Sequence, residues 1–340
     1  MKNIALVFDS TYMIGGGHFW RCYNLARILR KSNKNFIFIS NSLKKEFINL
    51  LKESKFKYLK LNNLKNINKL EFIIKKFKID ILVTDYYEFS YKDKKRLKNS
   101  VDKLIVIDDY VNKKHFCDIY INNNFMSMQT KSKIKMLNPE AQLLLGPKYL
   151  INEKIIKKKN KFKKKSNSFF VFFGSSDPSN LTLKFLRWVS DLNEIKFNVL
   201  IGKLNRNYKK IKFFCKDKKN IKIFYDLSNN NVLNLISKNK YSLGSGGINL
   251  TERLIYGLPS IVICTATNQK EALKELKKKK IIYYLGSYKY LNKKIILRDI
   301  KNIIENKLLV KLMKKNIDLY YNLERNSNPL IKNLDKVIYS

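Results

Sequence analysis

The sequence predicts an α/β protein built from two Rossmann-like domains, and three observations support this prediction. The chain has 340 residues, which is long enough for two hydrophobic cores rather than one. Short apolar runs alternate with longer segments of helical periodicity, as expected for parallel strands joined by crossover helices. A stretch rich in Lys and Asn interrupts this alternation once, and the same pattern then starts again.

In the first half, apolar runs predict strands at Ile4–Phe8, Phe36–Ser40, Ile79–Thr84, Leu104–Ile107 and Ile119–Ile121. Apolar residues at helical spacing predict helices at Phe19–Arg30 and Leu70–Phe77. Polar or small residues follow four of the strands, namely Asp9-Ser10, Asp85-Tyr86, Asp108-Asp109 and Asn122-Asn123-Asn124. Because ligands of open α/β sheets bind at the carboxyl ends of strands, the site is expected along this edge.

In the second half, strands are predicted at Phe169–Phe173, Phe197–Ile201, Ile221–Tyr225, Tyr241–Leu243 and Ile261–Cys264. A helix is predicted at Asn180–Val189, and a lysine-rich helical tail runs from Ile295 onward, with packing back across the linker onto the first domain as one expectation for it. Residues 1–150 are therefore predicted to form the N-terminal domain and residues 151–168 the linker. Residues 169–340 are predicted to form the C-terminal domain, which includes the helical tail.

The formal net charge of +43 raises the alternative of a basic nucleic-acid-binding protein. Lysine rather than arginine supplies most of this charge, and Asn, Ile, Tyr and Phe are also abundant, as expected for an A/T-rich genome. The lysines are spread along the whole chain instead of forming one patch. We therefore do not expect nucleic acid as the main partner, although a basic surface suits an anionic substrate.

Cysteine and histidine usage argues against a metal site. The four cysteines lie far apart without a CxxC pair, and the chain contains only His18 and His115. Neither a metal nor another cofactor is expected, and no obligatory protein partner is evident. No run of about 18 apolar residues predicts a membrane span, and the first nine residues do not resemble a signal peptide. A cytoplasmic protein with reduced thiols is the expectation.

Three glycine-containing loops follow predicted strands, and each leads into a predicted helix. The first, Ile14-Gly15-Gly16-Gly17-His18, places an imidazole where unpaired backbone N–H groups suit an anion. Such a histidine is either a proton acceptor or a structural residue that bonds to its own turn. The second loop contains Gly174, Ser175 and Asp177, and a capped turn is the simpler interpretation.

The third loop, Gly244-Ser245-Gly246-Gly247, opens a helix whose backbone amides can hold a diphosphate. Glu252 follows about one turn later. Its carboxylate can accept hydrogen bonds from ribose hydroxyls, or it can be an acidic residue that the helix dipole stabilises in the first turns. Asn268 and Gln269 supply neutral amides after the next strand. The first half lacks a dinucleotide fingerprint, which disfavours a nicotinamide dehydrogenase.

Taken together, these motifs resemble the UDP-2,4-diacetamido-2,4,6-trideoxy-β-L-altropyranose hydrolase family of pseudaminic acid biosynthesis. The resemblance keeps order and spacing over residues 1–285. It rests on Asp9-Ser10, Gly15-Gly16-Gly17-His18, Arg21-Cys22, Asp85-Tyr86-Tyr87, Val106-Ile107-Asp108-Asp109, Leu143–Tyr149, Phe173–Asn180, Gly246-Gly247, Glu252-Arg253, Gly257–Ser260 and Asn268-Gln269. Three departures from the family pattern are Val7, Tyr86 and Ile248-Asn249.

The resemblance implies a glycosyltransferase-B-like architecture in which two domains face each other across a cleft. It also implies metal-independent, inverting hydrolysis of a UDP-sugar at the anomeric carbon, with His18 acting on water and Tyr87 assisting near the sugar. The substrate-binding residues it implies are Asp9, Gly15, Gly16, Gly17, Arg21, Gly174, Ser175, Asp177, Gly246, Gly247, Ile248, Asn249, Glu252, Asn268 and Gln269. A glycosyltransferase of the same fold is the alternative.

Overall fold

The computed structural model of the protein describes residues 2–11, 16–30, 34–151, 167–321 and 329–339. These residues divide into two compact units. One comprises the described parts of Met1–Glu153 and Asn326–Ser340, and the other the described part of Lys154–Arg325. The predicted linker, residues 151–168, lies almost entirely outside the described residues.

The first unit contains a seven-stranded parallel sheet in the order β3-β2-β1-β4-β5-β6-β7. The strands are β1 (Lys2–Phe8), β2 (Lys34–Ser40), β3 (Lys57–Lys60), β4 (Ile81–Asp85), β5 (Lys103–Ile107), β6 (Ile119–Asn122) and β7 (Gln142–Leu145). The helices are α1 (Gly17–Leu29), α2 (Lys45–Glu53), α3 (Ile67–Lys76), α4 (Tyr91–Asn99) and α5 (Met128–Leu137). Because the chain order reverses between β1 and β4, the sheet has a topological switch point there.

The second unit repeats this plan with a six-stranded parallel sheet in the order β10-β9-β8-β11-β12-β13. Its strands are β8 (Ser168–Phe172), β9 (Lys196–Ile201), β10 (Ile221–Tyr225), β11 (Tyr241–Ser245), β12 (Ser260–Cys264) and β13 (Tyr283–Ser287). Its helices are α6 (Leu181–Val189), α7 (Tyr208–Phe214), α8 (Asn229–Ser237), α9 (Ile248–Ile255), α10 (Lys270–Lys278), α11 (Lys293–Glu305) and α12 (Lys307–Tyr321). The switch point lies between β8 and β11.

The predicted strands of both halves are confirmed, and all of them except the edge strand β10 are internal strands of their sheet. Three further strands, β3, β7 and β13, were not predicted. All three lie at sheet edges and are only partly buried, as is the predicted edge strand β10. Parallel pairing to one neighbour, rather than sequence pattern, defines them.

The last helix, α13 (Pro329–Tyr339), differs from the predicted domain assignment. By residue range it was assigned to the second domain, whereas the structure groups it with the first unit, in line with the expectation that the helical tail packs back onto that domain. Leu330 and Leu334 are fully buried, and Gln142 Nε2 at the start of β7 donates to Asn333 Oδ1 at 2.8 Å. Burial of these leucines gives the helix its position, since hydrophobic contact is the dominant favourable term in packing.

Gly244 in β11 provides a stability test of the second sheet. A Cβ at this position would lie 1.9 Å from the carbonyl oxygen of Phe172 in the neighbouring strand β8, an atom that cannot move without disturbing the sheet. Gly244→Ala is therefore expected to lower the free energy of unfolding by about 3 kcal/mol.

Denaturant unfolding of Gly244→Ala beside Gly247→Ala measures this effect. A Cβ on Gly247 would meet only Gln269 Nε2, at 3.8 Å, so the control is expected to cost less than about 1 kcal/mol. Equal losses in the two variants would show that the close approach of β8 and β11 does not limit stability.

Candidate active site

The first candidate site lies at the switch point of the first sheet, where the carboxyl ends of β1, β4 and β5 are neighbours. Helix α1 begins at Gly17, so His18 lies in its first turn. Gly16 precedes the helix and provides no side-chain cap, which leaves backbone N–H groups at the helix start. Gly15, a predicted binding residue, lies outside the described residues.

His18 forms a buried pair with Asp85, the last residue of β4. Its Nδ1 lies 2.7 Å from Asp85 Oδ1, and the aspartate side chain is fully buried. Arg21 Nη2 also lies 3.1 Å from Nδ1, but it donates at shorter distances to Asp85 Oδ1 and to the Tyr87 hydroxyl. Because the closer partner of Nδ1 is a carboxylate, which can only accept, we assign the proton of the neutral imidazole to Nδ1. The other nitrogen, Nε2, then carries a lone pair. This geometry suits a general base whose protonated form Asp85 stabilises.

Arg21 lies one turn after His18 in α1 and uses its guanidinium on protein groups. Nε donates to Asp85 Oδ2 at 2.8 Å, and Nη2 donates to Asp85 Oδ1 at 2.6 Å and to the Tyr87 hydroxyl at 2.8 Å. Nη1 donates to Asp109 Oδ1 at 2.7 Å. Four of its five N–H groups are therefore used. Arg21 was predicted to bind substrate, and these hydrogen bonds show that it also holds the carboxylates of the site.

Tyr87, the second predicted catalytic residue, packs edge to face against His18 with 4.8 Å between ring centroids. Its hydroxyl donates to Asp109 Oδ2, and Asn124 Nδ2 donates to Asp109 Oδ1 at 3.1 Å. Burial raises the pKa of Tyr87 well above its ordinary value, so the phenol keeps its proton. The hydroxyl hydrogen is thus used within the protein, whereas the ring forms one wall beside the imidazole.

The cluster around His18 combines two carboxyl groups with one guanidinium. Burial raises the pKa of Asp109, but the Arg21 guanidinium and the Tyr87 hydrogen bond outweigh burial, and the net pKa is lowered. With Asp85 and Asp109 as carboxylates and Arg21 as the cation, the cluster carries one excess negative charge when the imidazole is neutral. A proton gained by His18 brings it to neutrality.

The sequence analysis did not include Asp85 or Asp109 among the site residues, although it placed both on the polar edge after predicted strands. Their position on that edge is the sequence feature that could have identified them as site residues. Asp9 lies on the same edge, but its Oδ1 accepts from the backbone N–H of Thr11 at 3.0 Å and shapes the turn after β1. The structure therefore brings His18, Arg21 and Tyr87 together around the two unpredicted carboxylates.

The second candidate site lies at the switch point of the second sheet. Gly246 and Gly247 follow β11, and α9 begins directly after them at Ile248. Within the helix, Asn249 Nδ2 donates to Glu252 Oε2 at 2.6 Å, and Glu252 is buried. The start of α9 has no side-chain cap, so its backbone N–H groups are available to an anion.

Gln269 lies beside this glycine loop, in a short 3₁₀ turn at Thr267–Gln269 after β12. Its Oε1 accepts from the backbone N–H of Thr265 at 3.0 Å, which fixes the amide. Its Nε2 is the atom nearest to where a Cβ of Gly247 would stand. Asn268 is half-buried in the same turn. Glu252, in the helix that this glycine loop opens, and Gln269, beside Gly247, thus both lie near the loop.

The loop after β8 is a capped turn. Asp177 accepts from the backbone N–H of Leu181 at 2.9 Å and of Thr182 at 2.8 Å, so its carboxylate caps α6. Burial raises the pKa of Asp177. Gly174 has φ +106°, a conformation that favours glycine, and Ser175 approaches Gly202 through its backbone. Of the predicted binding residues, Asp177 thus acts on the protein's own helix.

A separate buried cluster lies behind Asp109. His115 is fully buried, its Nε2 lies 3.7 Å from Asp108 Oδ2, and no described residue hydrogen-bonds either ring nitrogen. Burial, with Lys94 and Lys113 nearby, lowers the pKa of His115 to about 3. Burial raises the pKa of Asp108 to about 6. His115 is therefore neutral at pH 7, whereas Asp108 gains its proton only as pH falls to about 6.

This cluster predicts a pH-dependent stability. The pKa of His115 is lower in the folded than in the unfolded protein, so the unfolded state gains the proton first as pH falls below 6.5. His115 thereby costs about 2 kcal/mol of stability at pH 5 relative to pH 7.5. Asp108 has the opposite effect on stability. Because its pKa is raised in the folded state, the folded protein takes up this proton first as pH falls through 6, which stabilises it.

Urea unfolding at the two pH values separates these contributions. His115→Phe, which keeps the ring stacking on Tyr120, is expected to remove the acid penalty while Asp108 retains its own effect. The difference in unfolding free energy between the variant and the wild type should therefore be about 2 kcal/mol more favourable to the variant at pH 5 than at pH 7.5. An unchanged difference between the two pH values would contradict a neutral, buried His115.

The described residues form neither a metal-binding cluster nor a membrane-spanning helix. No group of three or more His, Cys, Asp or Glu residues in this part of the chain is arranged to hold a metal ion. No helix formed by the same residues is both long and apolar enough to cross a membrane.

Comparison with known sequences gives three related proteins, and no protein-family model matches the chain. The protein is 29% identical over 297 residues to MJ1062, an uncharacterized protein of Methanocaldococcus jannaschii, covering 82% of this chain but only 58% of that relative's length. It is 28% identical over 286 residues to UDP-2,4-diacetamido-2,4,6-trideoxy-β-L-altropyranose hydrolase of Campylobacter jejuni, covering 83% of this chain and 97% of that protein. SpsG of Bacillus subtilis, named as a spore coat polysaccharide biosynthesis protein, is 22% identical, with 80% of each chain covered.

Comparison with solved structures supports the fold. UGT2 of Phytolacca americana, complexed with UDP-2-fluoro-glucose and pterostilbene, matches with a TM-score of 0.70 at 13% identity, covering 100% of this chain and 99% of that one. MurG of Acinetobacter baumannii matches with a TM-score of 0.67 at 12% identity, covering 99% and 100%. The protein therefore has the two-domain α/β fold of the glycosyltransferase-B type, and its sequence resembles the family of the Campylobacter hydrolase.

Proposed function

We propose that the protein hydrolyses a UDP-linked sugar at the anomeric carbon and releases UDP and the free sugar. The observation that carries this proposal is the buried His18–Asp85 pair, with 2.7 Å between Nδ1 and Oδ1, at the carboxyl edge of a parallel sheet. The resemblance to the Campylobacter hydrolase supports the substrate class, because the alignment covers 97% of that enzyme. The glycosyltransferase alternative rests on fold alone.

In the proposed mechanism, His18 Nε2 accepts a proton from water. Nδ1 keeps its own proton and continues to donate it in the hydrogen bond to Asp85. The water oxygen forms a bond to the anomeric carbon as the bond from that carbon to the β-phosphate oxygen breaks. The bonding electron pair leaves with UDP. The excess negative charge of the Asp85–Asp109–Arg21 cluster favours both the imidazolium and positive charge at the anomeric carbon. Inversion of configuration follows from attack on the face opposite the leaving group.

We assign the nucleotide to the second candidate site. The backbone N–H groups at the start of α9 suit the diphosphate, and Glu252 suits the ribose hydroxyls. Gln269, fixed beside Gly247, and Asn268 are left for the phosphates or for acetamido groups of the sugar. The negative cluster around His18 is a poor site for a diphosphate, since it would place like charges together.

The sugar we propose is the diacetamido-trideoxy sugar that the name of the Campylobacter enzyme gives, in nonulosonic acid synthesis. The departures from the family pattern bear on this choice unequally. Val7 is fully buried in the core and does not reach the site. The Tyr86 hydroxyl donates to Glu88 at 3.2 Å on the surface side. Ile248 and Asn249 lie at the start of α9. If the substrate is a related UDP-sugar, these two residues are the departures that would contact it.

Incubation with UDP-2,4-diacetamido-2,4,6-trideoxy-β-L-altropyranose in ¹⁸O water, without an acceptor, tests the proposal. Mass spectrometry is expected to find the label in the free sugar and none in UDP. Label in UDP would mean attack at phosphorus and would contradict the mechanism. Turnover only after an acceptor is added would identify a glycosyltransferase.

A further inference from the structure

Arg253 in α9 is a buried cation that the described part of the chain does not pair with a carboxylate. Its side chain is fully buried and is the largest such side chain in the structure. Nη2 donates to the carbonyl oxygen of Ser245, Nη1 lies 3.5 Å from Ser242 Oγ, and Nε has no hydrogen-bond partner within the described ranges. Burial lowers the pKa of Arg253 to about 9, although Glu252 favours the charge, so the guanidinium is still charged at neutral pH.

Such a residue is costly to the folded protein. Removing a guanidinium from water is unfavourable unless a nearby anion compensates for the lost hydration. The hydrogen-bond partners of Arg253 among the described residues are a carbonyl and a hydroxyl, which carry no net charge, and Glu252 is the neighbouring carboxylate whose charge favours the guanidinium without an ion pair to it. An apolar residue of similar volume would fill the same space at lower cost. An anion bound to the folded protein near Arg253 would compensate further for the hydration that the guanidinium loses on burial.

The position of Arg253 relates this charge to the glycine loop. Ser245 is the last residue of β11, and Gly246 and Gly247 lead directly from it into α9. By holding the Ser245 carbonyl inward, Arg253 keeps the negative end of that peptide away from the loop surface. The backbone N–H groups at the start of α9 and the buried guanidinium then contribute positive potential to the same place.

We propose that Arg253 is a positioning residue that supplies the buried counter-charge for a diphosphate bound at the start of α9. It acts through the Ser245 carbonyl and through its charge, without touching the ligand. This inference rests on the proposed function, because it takes the UDP moiety as the anion. It predicts that Arg253 strengthens binding of the diphosphate and leaves binding of the nucleoside unchanged.

The test compares UDP with uridine in the wild type, Arg253→Gln and Arg253→Lys, by calorimetry for UDP and ligand-observed NMR for uridine at pH 7. Both replacements can donate to the Ser245 carbonyl, but only lysine is charged. Arg253→Gln is expected to lower the ratio of UDP to uridine affinity at least tenfold, whereas Arg253→Lys lowers it less than threefold. If Arg253→Gln does not fold, Arg253→Met carries the same expectation as a neutral residue that fills the volume.

If the ratio of UDP to uridine affinity were equal in the neutral variants and in Arg253→Lys, the proposed role of the charge would be overturned. Equal losses of UDP and uridine affinity in the neutral variant would do the same, because they would indicate a purely structural residue. A wild type that binds UDP no better than uridine would instead overturn the assignment of the nucleotide site, and with it the proposed function. The two failures are therefore distinguishable.

Discussion

Replacing His18 by asparagine is expected to lower kcat about 10²- to 10⁴-fold while leaving UDP affinity unchanged. The asparagine amide nitrogen stands close to the position of Nδ1, so it can still donate to Asp85 Oδ1, which lies 2.7 Å from Nδ1 in the wild type. The Arg21 and Asp109 contacts are therefore preserved. What the variant lacks is Nε2, the nitrogen that the proposed mechanism uses as the base.

Single-turnover kinetics with the UDP-sugar, together with calorimetry with UDP, measure this separation. His115→Phe is the matched control, since it removes the only other histidine and lies outside the His18 cluster. The control should keep kcat within about threefold of the wild type at pH 7.5. Loss of UDP binding together with turnover in His18→Asn would indicate that the imidazole organises the fold instead.

Replacing Asp85 by asparagine is expected to lower kcat by a similar factor, about 10²- to 10⁴-fold, for a different reason. An amide that turns its NH₂ group toward His18 makes Nδ1 an acceptor and moves the proton to Nε2. The general base then loses its lone pair on the side of the substrate. An amide turned the other way places its NH₂ group against Arg21 Nε, which lies 2.8 Å from Asp85 Oδ2 in the wild type.

The tautomer itself can be observed by ¹⁵N NMR of the imidazole, because His115→Phe leaves His18 as the one histidine in the chain. In that background, protonation at Nδ1 is expected for the wild-type aspartate and at Nε2 for Asp85→Asn. Asp109→Asn is the control, since Asp109 contacts Arg21 and Tyr87 but not the imidazole. Unchanged kcat in Asp85→Asn would remove the pair from the mechanism.

Part of this site was predictable because it depends on local sequence. The apolar runs of β1, β4, β8 and β11 are long enough to be read as buried parallel strands, and the residues after them must share an edge. Glycines followed by a helix then predict an anion site, and His18 stands at such a junction. These signals lie within a few residues of one another.

The partners of His18 were not predictable in the same way. Asp85 is 67 residues away in sequence, and its contact with His18 exists because β1 and β4 are neighbours in the sheet. Several strand-end aspartates look alike in the sequence. Only packing distinguishes Asp85, which pairs with the imidazole, from Asp9, which bonds to its own turn.

The sequence alone determined two α/β halves, their central strands and the glycine loops, because hydrophobic periodicity and turn chemistry are local properties. The tertiary structure decided the edge strands and the final helix, whose positions depend on burial against distant elements. It also decided that Arg21 bonds to carboxylates, that Asp177 caps a helix and that Arg253 carries an unpaired buried charge. These roles depend on distances across the sheets, and such distances are set by the fold as a whole.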